Sequence, residues 1–79
     1  MPKMSIREIR EKDSPDLHDL LDAKRKELFN LRLSWSTGSL ETANPMRDVR
    51  KDIARILTVM RERELAAALV QELQQQPEE

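Results

Sequence analysis

Met46-Arg47-Asp48-Val49-Arg50-Lys51-Asp52-Ile53-Ala54-Arg55-Ile56-Leu57-Thr58-Val59-Met60 is the stretch on which the fold turns. Within it, Met46, Val49, Ile53, Ile56 and Met60 recur at intervals of 3, 4, 3 and 4. That spacing keeps apolar side chains on one stripe of an α-helix and makes the seam of a coiled-coil-like pair. A strand would need an apolar side chain at every second position, and the stretch has no such alternation. Just ahead, Asn44-Pro45 reads as a helix start. Asparagine can satisfy free backbone amides there, and proline fits a first turn where its missing N–H costs nothing. A long helix is therefore predicted from about residue 45 to about residue 70.

A seam needs a partner, and the chain carries one upstream. Leu17, Leu21, Leu28, Leu31 and Trp35 keep the same rhythm, with Lys24 in the one polar slot. Ser14-Pro15 opens this helix, with Ser14 expected as its N-cap. Asp16 and Asp19 then lie near the positive end of the helix dipole. Gly38, the only glycine, is placed to stop the helix with a left-handed cap. The first long helix is thus predicted over about 15–35 and the turn over about 36–44. So short a connection folds the second helix back on the first. Ser5-Ile6-Arg7-Glu8 has the form of a capping box and opens a short helical turn, which Asp13-Ser14-Pro15 interrupts. Residues 71–79, ending Gln74-Gln75-Gln76-Pro77-Glu78-Glu79, read as a polar flexible tail. The expected fold is all-α: an antiparallel two-helix hairpin over 1–70, with a short N-terminal helical turn and a frayed acidic C-terminal tail.

Composition narrows the function. At 79 residues the chain makes one domain with a small core, so a larger partner is the natural source of further burial. Cysteine is absent and His18 is the only histidine, which removes Cys/His and multi-histidine metal sites. One glycine cannot form a phosphate-binding loop. The many carboxylates alternate with bases along helix faces, as on a solvated surface, and His18 reads as a surface residue. The expectation is a non-enzyme with no cofactor, no metal and no small-molecule substrate. No apolar run approaches the ~20 residues of a membrane span, and the N-terminus lacks a signal-peptide core. A cytoplasmic location without membrane contact is expected.

The net charge of −1 conceals a division. Residues 1–23 carry four bases and six acids, residues 24–63 ten bases and five acids, and residues 64–79 four acids and no base. A basic centre between acidic ends points to a polyanionic partner. On the second helix, at about 100° per residue, Arg47, Arg50, Lys51, Arg55, Thr58 and Arg61 fan out over one side of the seam. Only Glu62 intrudes there. Arginine forks two donors onto phosphate or sugar oxygens and lysine adds a point charge, so such a stripe suits an RNA backbone. Pairing with acids one turn away is worth only about 0.2–0.5 kcal/mol and does not prevent it. On the first helix, Phe29 and Leu33 point away from the seam beside Lys26 and Asn30. An apolar patch there fits a partner, RNA or protein. The competing reading is a protein-interaction hairpin that dimerises into a four-helix bundle, with its charges serving solubility. It accounts for both seams, but not for the basic fan or for Phe29.

Three blocks carry a family resemblance. They are Lys26-Glu27-Leu28-Phe29-Asn30-Leu31-Arg32, Thr37-Gly38-Ser39-Leu40, and Val49 through Glu64. With Ile9-Arg10-Glu11-Lys12 they stand in order across about residues 5–65. In them the chain resembles the large-subunit ribosomal protein family numbered twenty-nine in the universal scheme, of bacterial type. The resemblance implies a ribosome-bound, non-enzymatic helical hairpin on large-subunit rRNA near the polypeptide exit tunnel. It also implies a neighbour, the large-subunit ribosomal protein numbered twenty-three, and a place where trigger factor and the signal recognition particle dock. Arg32, Arg50, Lys51 and Arg55 fall in the matching blocks as RNA-contact candidates. The sequence departs from the family pattern at Ser34-Trp35-Ser36 and at Asn44-Pro45-Met46, and its acidic segment after Glu64 is expected to avoid RNA.

Overall fold

A computed structural model describes residues 4–75 of the chain. In it, α1 (Ile6–Arg10) leads into α2 (Ser14–Ser36) and then α3 (Asn44–Gln75). The body is elongated, 66 × 21 × 18 Å. Among the described residues there is no strand.

Local chemistry sets the helix ends. Ser5 Oγ accepts from the Glu8 amide at 3.2 Å and caps α1. The cap of α2 is Asp13, not Ser14 as expected. Asp13 has the extended backbone of a capping residue, φ −69° and ψ 160°, and its carbonyl closes the first turn by accepting from the Leu17 amide at 2.9 Å. Ser14 is already helical. At the other end Gly38 takes φ +78°, the left-handed conformation expected of it. The Ser39 amide then reaches the Ser34 carbonyl at 2.8 Å, and the Gly38 amide reaches that of Trp35 at 3.1 Å. These paired bonds close the helix and turn the chain toward α3.

α3 continues to Gln75, past the end expected near residue 70. From Leu65 onward the chain is leucine, alanine, glutamine and glutamate apart from the single Val70, with no glycine or proline before Pro77. All but the valine rank high as helix formers, so the segment favours helix even where nothing packs on it. Of the expected tail, residues 76–79 lie outside the described residues.

Lys24 Nζ stands 3.3 Å from Asp52 Oδ2 and fixes the antiparallel register. By that register Leu21 faces Ile56 and Leu17 faces Val59 on one side of the pair, while Leu28 faces Val49 and Leu31 faces Met46 on the other. Ile9 joins Leu17, Leu21, Ile56 and Val59 in one buried cluster, so α1 closes the open end of the hairpin. This third helix widens the seam. Val59, which the 3, 4, 3, 4 spacing leaves out, is fully buried, whereas Ile53 and Met60 are only partly covered. Trp35, expected in the seam, is 48% exposed. The register sets it against the connection near Thr42, where there is no helix to cover it.

Arg63 ties the three helices together. Its Nη2 donates to the carbonyls of Arg10 (3.0 Å) and Lys12 (2.6 Å), and its Nη1 to Ser14 Oγ at 3.4 Å. These are the carbonyls that the α1–α2 bend leaves without helical partners. Hydrogen bonds to a charged group contribute about 1.5–3 kcal/mol each when buried, and this site is partly open to water. Arg63→Ala is therefore expected to cost about 2 kcal/mol, a fall of about 10 °C in Tm for a domain of this size. It should also speed proteolysis between α1 and α2. Arg63→Lys keeps the charge but loses the fork, and should recover less than half of the loss. Full recovery by lysine would assign the effect to charge alone.

Candidate nucleic-acid interface

Position on α3 decides what its cations can reach. Val49, Asp52, Ile56 and Val59 form the buried row. At about 100° per residue, Arg47, Arg50, Lys51, Thr58 and Arg61 fall on the face opposite that row, and all five are exposed. The row is turned toward Asp52 and Val59 relative to the simple apolar spacing. The basic fan consequently covers the outer face of the hairpin rather than flanking the seam.

The ion pairs of α3 fall mainly at the margins of this face. Glu62, the acid expected to intrude, accepts from Arg10 of α1 at 3.2 and 3.3 Å, which offsets its charge. Arg61 and Glu64 lie 3.2 Å apart, both largely exposed. Such surface pairs contribute little and open readily. Thr58 Oγ1 donates to the Ala54 carbonyl at 2.8 Å, which leaves its lone pairs free to accept. Arg55 differs from the rest. It is half-buried, with Nη1 3.5 Å from Asp52 Oδ1, so it serves the helix pair whatever else it touches.

Asp52, which the apolar spacing leaves out of the seam, is nevertheless part of it. It is buried in the seam between Lys24 and Arg55, and Lys24 also meets Glu27 Oε2 at 3.5 Å. Burial of the carboxylate is tolerated because two cations hold it.

On α2, Lys26, Phe29, Asn30 and Leu33 are exposed on the face turned away from α3. Phe29 is 61% exposed, so the hairpin leaves its ring uncovered. Arg32 is exposed on the flank between this face and the seam. The structure thus brings the α3 cations together and the α2 patch together. It sets the two groups on opposite sides of the hairpin, so no flat partner meets both.

Among the described residues no group of His, Cys, Asp or Glu is placed to hold a metal ion, and no helix is long and apolar enough to cross a membrane.

Comparison with known proteins gives these faces their setting. The family model described as "Ribosomal L29 protein" matches residues 7–63. A Geobacillus stearothermophilus protein named "Large ribosomal subunit protein uL29" is 50% identical over 64 residues, 81% of this chain and 97% of its own length. Its namesake in Maridesulfovibrio salexigens is also 50% identical over 64 residues, 81% of this chain and 100% of its own. The one in Cutibacterium acnes is 45% identical over 65 residues, 82% of this chain and 84% of its own. The matched span takes in α2, the turn, the basic face of α3 and the Lys24–Asp52 pair. On these grounds the chain belongs to the ribosomal L29 protein family, as a structural constituent of the large ribosomal subunit that is ribosome-bound in the cytoplasm and not an enzyme.

Proposed function

We propose that this protein binds large-subunit rRNA through the outer face of α3, near the polypeptide exit tunnel. The observation that carries the reading is the row Arg47, Arg50 and Lys51. These cations are exposed on the side of α3 opposite the core, so the fold does not consume them. Thr58 and Arg61 extend the row by about two to three turns, and Arg55 contributes from its edge. A straight helix bearing cations along about 20 Å spans several phosphates and needs no base-specific contact. The location, the neighbouring ribosomal protein numbered twenty-three, and the docking of trigger factor and the signal recognition particle nearby rest on the family resemblance.

Salt is the test. Each phosphate contact releases counterions, so binding to large-subunit rRNA should weaken linearly on a log–log plot against salt. Arg47→Ala, Arg50→Ala and Lys51→Ala should each weaken binding and flatten that line by up to about one unit per lost contact. The hairpin's thermal melt should stay where it is. Unchanged slopes in all three variants would put the RNA on another face.

The α2 patch takes a second contact in this proposal, with Phe29 and Leu33 covered in the assembled subunit and Lys26, Asn30 and Arg32 around them. Phe29→Ala should leave the free protein's stability within about 0.5 kcal/mol, the range for an exposed substitution. Retention on large subunits through a salt wash should nevertheless fall. A loss of several kcal/mol in the free protein would mean that the ring packs within the hairpin.

A further inference from the structure

Beyond Arg63, every described residue of α3 is exposed. Residues 64–75 continue the helix for about 18 Å, past the bend that Arg63 holds. Leu65, Leu69 and Leu73 recur at every fourth position, with Val70 beside them, and all four are more than half exposed. On a helix such residues stack into one ridge. No described residue covers this ridge, and three large apolar side chains in line on one unpacked face, with Val70 about 100° round from Leu69 toward the core row, are the pattern of a helix built to enter a groove.

We propose that this end of α3 is a docking helix for another protein of the large subunit, one that offers an apolar groove rimmed by lysine or arginine. Charge selects that occupant. From Glu64 to the end of the sequence there are four acids and no base, with Glu64 and Glu72 on the described helix. RNA would repel the segment. A helix that lies on anionic lipid carries lysine and arginine on its polar face, and this one carries none. A second copy would bring the same acids to the contact, and a ridge this short buries little against a flat twin when a stable interface needs about 1,200–2,000 Å². A groove wraps the ridge and covers more of it. Proteins that sit on rRNA are rich in the cations that neutralise phosphate, so basic rims lie within reach of a subunit-bound chain. The segment also lies outside the span the family model matches, which stops at residue 63. The docking surface is therefore an addition to the hairpin and independent of the RNA-binding face proposed above.

The test is site-specific photo-crosslinking in the full chain assembled into large subunits. A benzophenone side chain is placed at position 69 on the ridge or, as control, at position 71 on the opposite face. Irradiation of salt-washed subunits should join position 69 to one protein, at least tenfold more strongly than position 71. Mapping should place the joined residue among apolar side chains next to lysine or arginine. Leu65→Glu combined with Leu73→Glu should cut that product at least tenfold. Products with rRNA, with a second copy of this chain, spread equally from positions 69 and 71, or absent altogether would each overturn the proposal. The salt slopes of Arg50→Ala and Lys51→Ala report on contacts about 20 Å back along α3 from the ridge, so neither reading's failure would be mistaken for the other's.

Discussion

Ile56→Asp is expected to leave no cooperatively folded hairpin. Ile56 is fully buried in the one cluster where α1, α2 and α3 meet, among Ile9, Leu17, Leu21 and Val59. The substitution removes an apolar side chain, a loss of about 2–5 kcal/mol for a core truncation. It also forces a carboxylate into a site where no cation is at hand; Lys24 and Arg55 are already committed to Asp52 one turn away. An unpaired buried charge adds several kcal/mol more. Small domains have about 5–15 kcal/mol in all, and a chain of this size sits toward the low end. The combined loss exceeds what is available. Because α3 is 32 residues long, some helix content can survive unfolding. The decisive readout is the loss of a cooperative thermal transition, together with loss of incorporation into large subunits. Ile53→Asp, which the apolar spacing alone would rank equally, should be milder, since Ile53 is only partly covered. A sharp melt for Ile56→Asp would overturn the packing described here.

Much of this architecture was legible in the sequence because helix chemistry is local. Ser5 as a cap, Pro15 in the first turn, the left-handed Gly38 and the leucine rhythm of α2 each act within a turn or two, and each predicts an element that the structure contains. What stayed hidden depends on residues far apart in the chain. Asp52 lies between Lys51 and Ile53 in a charged stretch and reads as surface. Its burial follows only from the register that sets it opposite Lys24, the polar slot of the other seam. That slot was the available signal, since a lysine facing a seam needs an acid across from it. Val59 is buried because α1 folds over it, and a five-residue helix with one buried side chain leaves little periodicity to read. Arg63 looked like one more cation of the basic stretch, yet about 100° per residue puts it on the core side, near Ile56 and Val59. The Leu65, Leu69 and Leu73 repeat of four runs past the helix end predicted near residue 70, which leaves Leu73 in the tail. Exposure of the site cations could be foreseen from their distance from the seam. The division into two opposite faces could not, because it depends on how each seam is turned.

The Lys24–Asp52 pair is the second place where one side chain should have a large effect, and its sign depends on what replaces it. Asp52→Ala removes a buried acceptor and strands the Lys24 ammonium between apolar layers, with Glu27 at 3.5 Å as its remaining partner. Breaking a fully buried pair costs about 3–5 kcal/mol. Lys24 retains some access to water, and its long stem can carry the charge outward, so a loss of about 2–3 kcal/mol is expected. Lys24→Met should cost less, about 1–2 kcal/mol, because Arg55 still holds Asp52 at 3.5 Å. Replacing both, Lys24→Met with Asp52→Leu, joins the two apolar zones of the seam. The doubly apolar chain should come within about 1 kcal/mol of the parent or exceed it; with Asp52→Leu as the matching single variant, expected to lose as much as Asp52→Ala, a double-mutant cycle of thermal melts should give a coupling of at least about 2 kcal/mol. What the pair supplies is then register. Sliding α3 by one turn sets Asp52 against Leu21 or Leu28, a mismatch that the apolar version no longer penalises. The doubly apolar chain should therefore melt as high as the parent yet sediment as a mixture of monomer and higher species. A single monomeric species of unchanged stability would show that the leucines and isoleucines hold the register without the pair.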